Sequence, residues 1–186
     1  MKEYIPIKRE YPPVVLGDDP TWGDVSTILK DIIERFNLTT KIALEFGVAT
    51  GHSLSALACY FDRVIGVDTF REDWNYVDPN RPSMFYDALR TLKGYNNIQL
   101  IPGIFEDFIK ETIFDRYDII HVDLIHTYEM TIMSGEWSLQ HSDCVLFHDT
   151  ISAPEVLRAV TDMSIKYNYE FYNYPEKYGL GILVKK

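Results

Sequence analysis

The sequence predicts an α/β protein built on a mostly parallel sheet with helices on both faces. Three observations carry this. Short apolar runs alternate with segments of helical period along most of the chain. The first run, at residues 42–46, turns through Gly47 and Gly51 into a helix and then a second apolar run, a strand–turn–helix–strand unit. The last two runs, residues 169–174 and 180–184, have no helix between them and read as an antiparallel hairpin joined by residues 175–179.

Taken in order, residues 1–20 contain Pro6, Pro12, Pro13 and Pro20, which discourage helix and interior strand. They read as an irregular arm over the surface, over the site or over a neighbouring subunit, and the last placement leaves a homo-oligomer open. Thr21 with Asp24 makes a helix N-cap, and Trp22, Val25, Leu29, Ile32, Ile33 and Phe36 follow at helical spacing. Ile42, Ala43, Leu44 and Phe46 suit a strand buried on both faces. Leu54, Leu57, Ala58 and Phe61 mark one face of the next helix, and residues 64–67 form a strand closing on Asp68.

A long irregular segment, residues 71–83, carries Arg71, Trp74, Tyr76 and Arg81, a composition suited to a lid or an acceptor-binding loop. A helix over residues 84–92 stops at Gly94, and a strand over 98–101 stops at Pro102 and Gly103. Residues 103–107 open another helix, 118–123 (DIIHVD) a strand, and 126–140 a helix with Met130, Met133 and Trp137 on one face. Residues 144–149 (CVLFHD) are the fifth strand. Ser152 with Glu155 reads as a capping box for a helix whose apolar face is Val156, Leu157, Val160 and Met163.

Composition narrows the function classes. A chain of 186 residues with 46% hydrophobic and 25% charged content is expected to be one domain with a full core. The net charge of -10, with no Lys/Arg cluster, argues against a nucleic-acid partner. Cys59 and Cys144 fall at core-like positions and read as reduced thiols, hence an intracellular, cytoplasmic protein. No leader opens the chain and no apolar stretch is long enough for a bilayer, so no membrane partner is expected.

The chemistry concentrates at strand ends. Glycines in the turn after residues 42–46 let backbone approach a ligand, N–H groups at the helix start favour an anionic group, and Asp68 can take both hydroxyls of a ribose. A dinucleotide fingerprint would place a third glycine in this turn. Here it reads E-x-G-x-x-x-G, from Glu45 through Gly47 to Gly51, with His52 and Ser53 next. This resembles motif I of the class I S-adenosylmethionine-dependent methyltransferases. The resemblance covers about residues 22–186 and implies a Rossmann-like, mostly parallel seven-stranded sheet with one reversed strand. It implies S-adenosyl-L-methionine as cofactor, held by Glu45, Gly47, Gly51, Ser53 and Asp68, with Phe105 packing on the base and Glu106 accepting its amino group.

Two apolar strands each closing on Asp, at Asp123 and Asp149, form a second constellation on the same rim. D-x-x-H-x-Y from Asp123 to Tyr128, followed by Phe147-His148-Asp149, resembles the small-molecule enzymes related to catechol and macrolide-sugar O-methyltransferases. In the metal-dependent members, carboxylates at these strand ends hold Mg²⁺, which binds adjacent hydroxyls of the substrate. The resemblance puts Asp123, His148 and Asp149 at the metal. His148 stands where the catechol enzymes have an acid, so Mn²⁺, Fe²⁺ or no metal are alternatives to Mg²⁺. His126 falls where those enzymes place a catalytic lysine, and an imidazole suits deprotonation of a hydroxyl, with Asp123 as its catalytic companion. The implied reaction is O-methylation of a small hydroxylated acceptor. A non-catalytic nucleoside-binding protein and an NAD-dependent oxidoreductase are the rival readings, the latter disfavoured by the missing glycine.

Overall fold

The computed structural model describes residues 1–12, 23–71 and 84–186. The lid segment after Arg71, the rest of the arm, and the Thr21 cap lie outside the described residues. The elements run β1 (Lys2–Glu3), α1 (Gly23–Arg35), β2 (Ile42–Phe46), α2 (His52–Ala58), β3 (Arg63–Asp68), α3 (Met84–Thr91) and β4 (Ile98–Pro102). They continue as α4 (Phe105–Glu111), β5 (Ile119–Val122), α5 (Tyr128–His141), β6 (Cys144–His148), α6 (Pro154–Lys166), β7 (Tyr169–Tyr174) and β8 (Leu180–Lys185).

Among the described residues the strands form one sheet of eight in the order β1-β7-β8-β6-β5-β2-β3-β4. Strand β8 alone runs against the others, pairing antiparallel with both β6 and β7. The strands alternate between two apolar layers, as a period of two requires. Ala43, Val64, Ile119, Leu146 and Ile182 join one cluster with Ile28, Leu29 and Ile32 of α1, Leu54 and Leu57 of α2, and Ala88 of α3. Leu44, Ile65, Ile120, Val145 and Leu183 join the other with Phe105 and Phe108 of α4, Leu139 of α5, and Val156, Val160 and Met163 of α6. Burial on both faces is why these strands read as unbroken apolar runs.

Three local features differ from the sequence pattern. The proline-rich arm supplies an eighth strand, because Lys2 and Glu3 pair in parallel with Tyr172 and Asn173 before Pro6 is reached. Helix α5 buries Thr131, Ser134, Gly135, Ser138 and Leu139, while Met133 is 39% exposed. The hydroxyls of Thr131, Ser134 and Ser138 donate to the carbonyls of Thr127, Met130 and Ser134 at 2.8, 2.8 and 2.7 Å, so this polar face needs no outside partner. At Gly135 a Cβ would come within 2.6 Å of Met163, so small residues bring α5 close to α6. Finally, Ser152 does not cap α6. Pro154 opens that helix with no N–H of its own to be capped, and Ser152 donates to Asp149 instead.

The arm is clasped to the sheet edge by Asp31 of α1, which is 7% exposed. Its carboxylate accepts from the Tyr4 hydroxyl and from the backbone N–H groups of Ile7 and Lys8 at 3.0 and 3.3 Å. Arg35 lies 3.1 Å from the same carboxylate and covers the Tyr4 ring at 4.3 Å. Removing the carboxylate strands the buried Tyr4 hydroxyl and leaves two part-buried amides and Arg35 without their acceptor, whereas removing the tyrosine hydroxyl leaves Asp31 with three partners. Asp31→Ala should therefore cost about 3–5 kcal/mol, and Tyr4→Phe only about 1–1.5 kcal/mol. Thermal denaturation of the two variants checks this, and equal losses would mean that Asp31 acts only through Tyr4.

Candidate active site at the switch point of the sheet

Chain order reverses between β2 and β5, which pair in parallel at the centre of the sheet. In an open sheet of this kind a crevice for ligands lies outside the carboxyl ends of the strands at that point. The turn after β2 is held there by Gly47. Its φ is +86°, and a Cβ would stand 1.8 Å from the Asp123 carbonyl oxygen. No side chain fits, so the two strand ends touch through backbone. Gly47 N–H donates to Val67 at 2.9 Å and Asp123 N–H to Phe46 at 2.8 Å, which locks the turn between β3 and β5. Gly51, with φ 88°, then turns the chain into α2.

Asp68 ends β3 beside this turn. Its Oδ2 accepts from Val48 and Ala49 N–H at 2.7 and 2.8 Å, and Oδ1 accepts from Phe70 N–H at 2.6 Å. A carboxylate offers about four lone-pair positions, so room for a further donor remains on Oδ1. The same side chain that faces the crevice thus also fixes the shape of the glycine turn.

Across the crevice, β5 and β6 deliver Asp123, His126, His148 and Asp149 to one place. One donor atom each from Asp123, His148 and Asp149 lies within 4.8 Å of the others. His126 Nε2 hydrogen-bonds Asp123 Oδ1 at 3.5 Å and makes an ion-pair contact with Asp149 Oδ2 at 3.0 Å. His148 Nδ1 is 2.8 Å from Asp149 Oδ2. Ser152 donates to Asp149 Oδ1. Asp149 reaches this position with φ 64°, a left-handed conformation that Asp tolerates better than most residues and that concentrates at functional sites.

The charges follow from this packing. Hydrogen bonds and attraction from Asp123 and Asp149 raise the His126 imidazole to about 10, overcoming the opposite effect of burial. Burial pushes the Asp149 carboxyl up, but the bonds from His126, His148 and Ser152 outweigh it and hold the group below the usual carboxylate range.

The other expected residues are spread over the site. Glu45 is fully buried, and its Oε1 lies 2.6 Å from Nδ1 of His121, which is 1% exposed. Ser53 sits in the first turn of α2. Phe105 is 4% exposed in the core, edge-on to Phe46 at 4.9 Å and to Trp137 at 6.2 Å. Glu106 lies in the first turn of α4, and the exposed apolar surface there belongs to Ile104. His121 and Ser152 are the site neighbours that sequence reasoning missed. A histidine inside an apolar strand, opposite an acid in another, was the available signal for the first.

No helix among the described residues is long and apolar enough to cross a membrane. Both cysteines are free, and burial pushes the Cys144 thiol up to about 12. No family model matches the sequence and no curated protein matches it. Solved structures do match the fold. An O-methyltransferase from Bacillus cereus in complex with SAH (S-adenosylhomocysteine) is 15% identical, with TM-score 0.65 over 93% of this chain and 84% of its own. A protein from Staphylococcus aureus assigned as a caffeoyl-CoA O-methyltransferase is 19% identical, with TM-score 0.66 over 94% of this chain and 86% of its own. The O-methyltransferase NovP is 16% identical, with TM-score 0.65 over 87% of this chain and 78% of its own. The chain has the fold of the class I S-adenosylmethionine-dependent O-methyltransferases.

Proposed function

We propose that the protein is an S-adenosylmethionine-dependent methyltransferase that methylates a hydroxyl of a small acceptor, assisted by a divalent cation. The observation that carries this reading is the cluster of Asp123, His148 and Asp149, with donor atoms within 4.8 Å, beside the Gly47 turn. The net charge of -10 supports a small acceptor over a nucleic acid. The similar structures assigned to caffeoyl-CoA methylation and bound to SAH support the cofactor and the reaction class.

The residues fit both groups. For the cofactor, the Gly47–Gly51 turn lies at the switch point of the sheet, and Asp68 Oδ1 keeps room for a ribose hydroxyl. For the cation, two carboxylates and one imidazole are an oxygen–nitrogen donor set, better suited to Mn²⁺ or Fe²⁺ than to the all-oxygen preference of Mg²⁺. Asp123, His148 and Asp149 would hold the ion, which when bound lowers the pKa of an acceptor hydroxyl and orients it.

The remaining work belongs to the chain's own groups. Asp68 fixes the glycine turn and with it the direction of the bound nucleoside. His126 is the proton acceptor. A cation held by Asp123 and Asp149 would offset their negative charge beside His126, whose Nε2 would then take the hydroxyl proton. Methyl transfer then needs only alignment of the oxygen with the sulfonium methyl, which the two neighbouring strand ends supply.

Three outcomes test this. Chelation should abolish methyl transfer, and Mn²⁺ should restore it better than Mg²⁺; full activity in excess EDTA would remove the cation. Asp68→Ala should weaken S-adenosylmethionine by roughly ten- to hundredfold in calorimetry. It should also lower thermal stability, because three backbone amides lose their acceptor. The third outcome concerns pH. The folded-state pKa of His126, about 10, lies above its unfolded value of about 6.5. Its contribution to stability is complete below about pH 6.5 and lost as pH rises through about 10. Metal-free wild type should therefore lose more thermal stability over that window than His126→Gln, and parallel curves would refute the coupling.

A further inference from the structure

The Glu45–His121 pair is the least expected feature of the interior. Both side chains are buried between strands that otherwise carry Ala43, Ile119 and Leu146 into an apolar layer. Glu45 and His121 are directly opposite each other in the ladder of β2 and β5. They meet at 2.6 Å, yet Glu45 Oε2 and His121 Nε2 are buried with no hydrogen-bond partner. An apolar pair of similar volume would be as stable or more so, since desolvating two polar groups offsets much of their attraction. Stability does not account for the pair.

Position does. Glu45 lies two residues before Gly47, and His121 two residues before Asp123, so the pair sits directly under the contact that joins the cofactor turn to the acid cluster. The His121 ring also stands edge-on to His148, with centroids 6.1 Å apart at 79°. A buried carboxylate oxygen without a partner beside a ligand crevice calls for a cationic donor. The amino-acid half of S-adenosylmethionine carries an ammonium.

We propose that His121 is a positioning residue for the cofactor: its Nδ1–H holds Glu45 Oε1, so that Glu45 Oε2 is presented to the cofactor's ammonium. This rests on the methyltransferase reading above. His121 itself touches neither the methyl donor nor the acceptor; it fixes the rotamer of the side chain that does.

The test compares two ligands that differ in the amino-acid half. S-adenosylhomocysteine has the ammonium, and 5′-methylthioadenosine shares the thioether nucleoside without it. His121→Leu should weaken S-adenosylhomocysteine by about tenfold or more and leave 5′-methylthioadenosine unchanged. His121→Asn, whose amide can still donate to Glu45, should recover most of the lost affinity. Equal weakening of both ligands would assign His121 a purely structural role and overturn the proposal, as would no weakening of either. Wild-type protein that fails to bind S-adenosylhomocysteine would overturn the cofactor reading itself and this proposal with it. Should the leucine variant not fold, the wild type still decides. The imidazole NMR signals of His121 should move on adding S-adenosylhomocysteine and stay in place with 5′-methylthioadenosine. Identical responses to the two ligands would overturn the proposal.

Discussion

The contact between Gly47 and the Asp123 carbonyl is the constraint on which the rest of the site depends. A Cβ there would stand 1.8 Å from that oxygen, so the turn after β2 can lie against the end of β5 only without a side chain. Parallel strands at a switch point separate their helices to opposite faces, which opens a crevice but also tends to leave its walls apart. Backbone contact at Gly47 closes that distance. Asp68 on one side of the turn and Asp123 on the other then belong to one rim, although they come from strands that flank β2 on opposite edges. The two apolar layers that bury these strands make the rim rigid, because every strand carrying a site residue is packed on both faces.

The rim concentrates polar groups that a stable core would exclude. Asp68 has its carboxylate satisfied by three backbone amides, so its burial costs little. Asp149 is satisfied by two imidazoles and a hydroxyl. Glu45 and His121 are each half satisfied, which marks them off from their neighbours.

Much of this was legible in the sequence, and what was not has identifiable causes. Strands buried on both faces announce themselves as apolar runs, so β2, β3, β5 and β6 are plain from composition. The acids that close them stand out because strands disfavour Asp. Helix α5 misleads because its buried face is made of serine, threonine and glycine, whose hydroxyls bond within their own helix. Hydrophobic periodicity then follows the methionines, which point elsewhere. Ser152 misleads because capping and ligating an acid need the same hydroxyl, and Pro154 removes the need for the first. Strand β1 is two residues long, too short for any pattern to show. Phe105 falls at the expected place in the chain but faces Phe46 and Trp137, and only the packing of α4 could decide that.

His148 changes the character of the acid cluster. A third carboxylate at that position would set three negative charges within 4.8 Å, tolerable only with a cation present. An imidazole at 148 instead bonds Asp149 Oδ2 at 2.8 Å, and His126 makes an ion-pair contact with the same oxygen at 3.0 Å. A cation at this cluster would find its donors already assembled, and would have to displace these bonds from the carboxylate oxygens. An arrangement of this kind favours a cation that accepts nitrogen as readily as oxygen, since His148 need not leave the cluster to let it in. Under the proposed reading, a cation taken up by Asp123 and Asp149 would relieve the charge that raises the His126 imidazole, and His126 would then serve as the base.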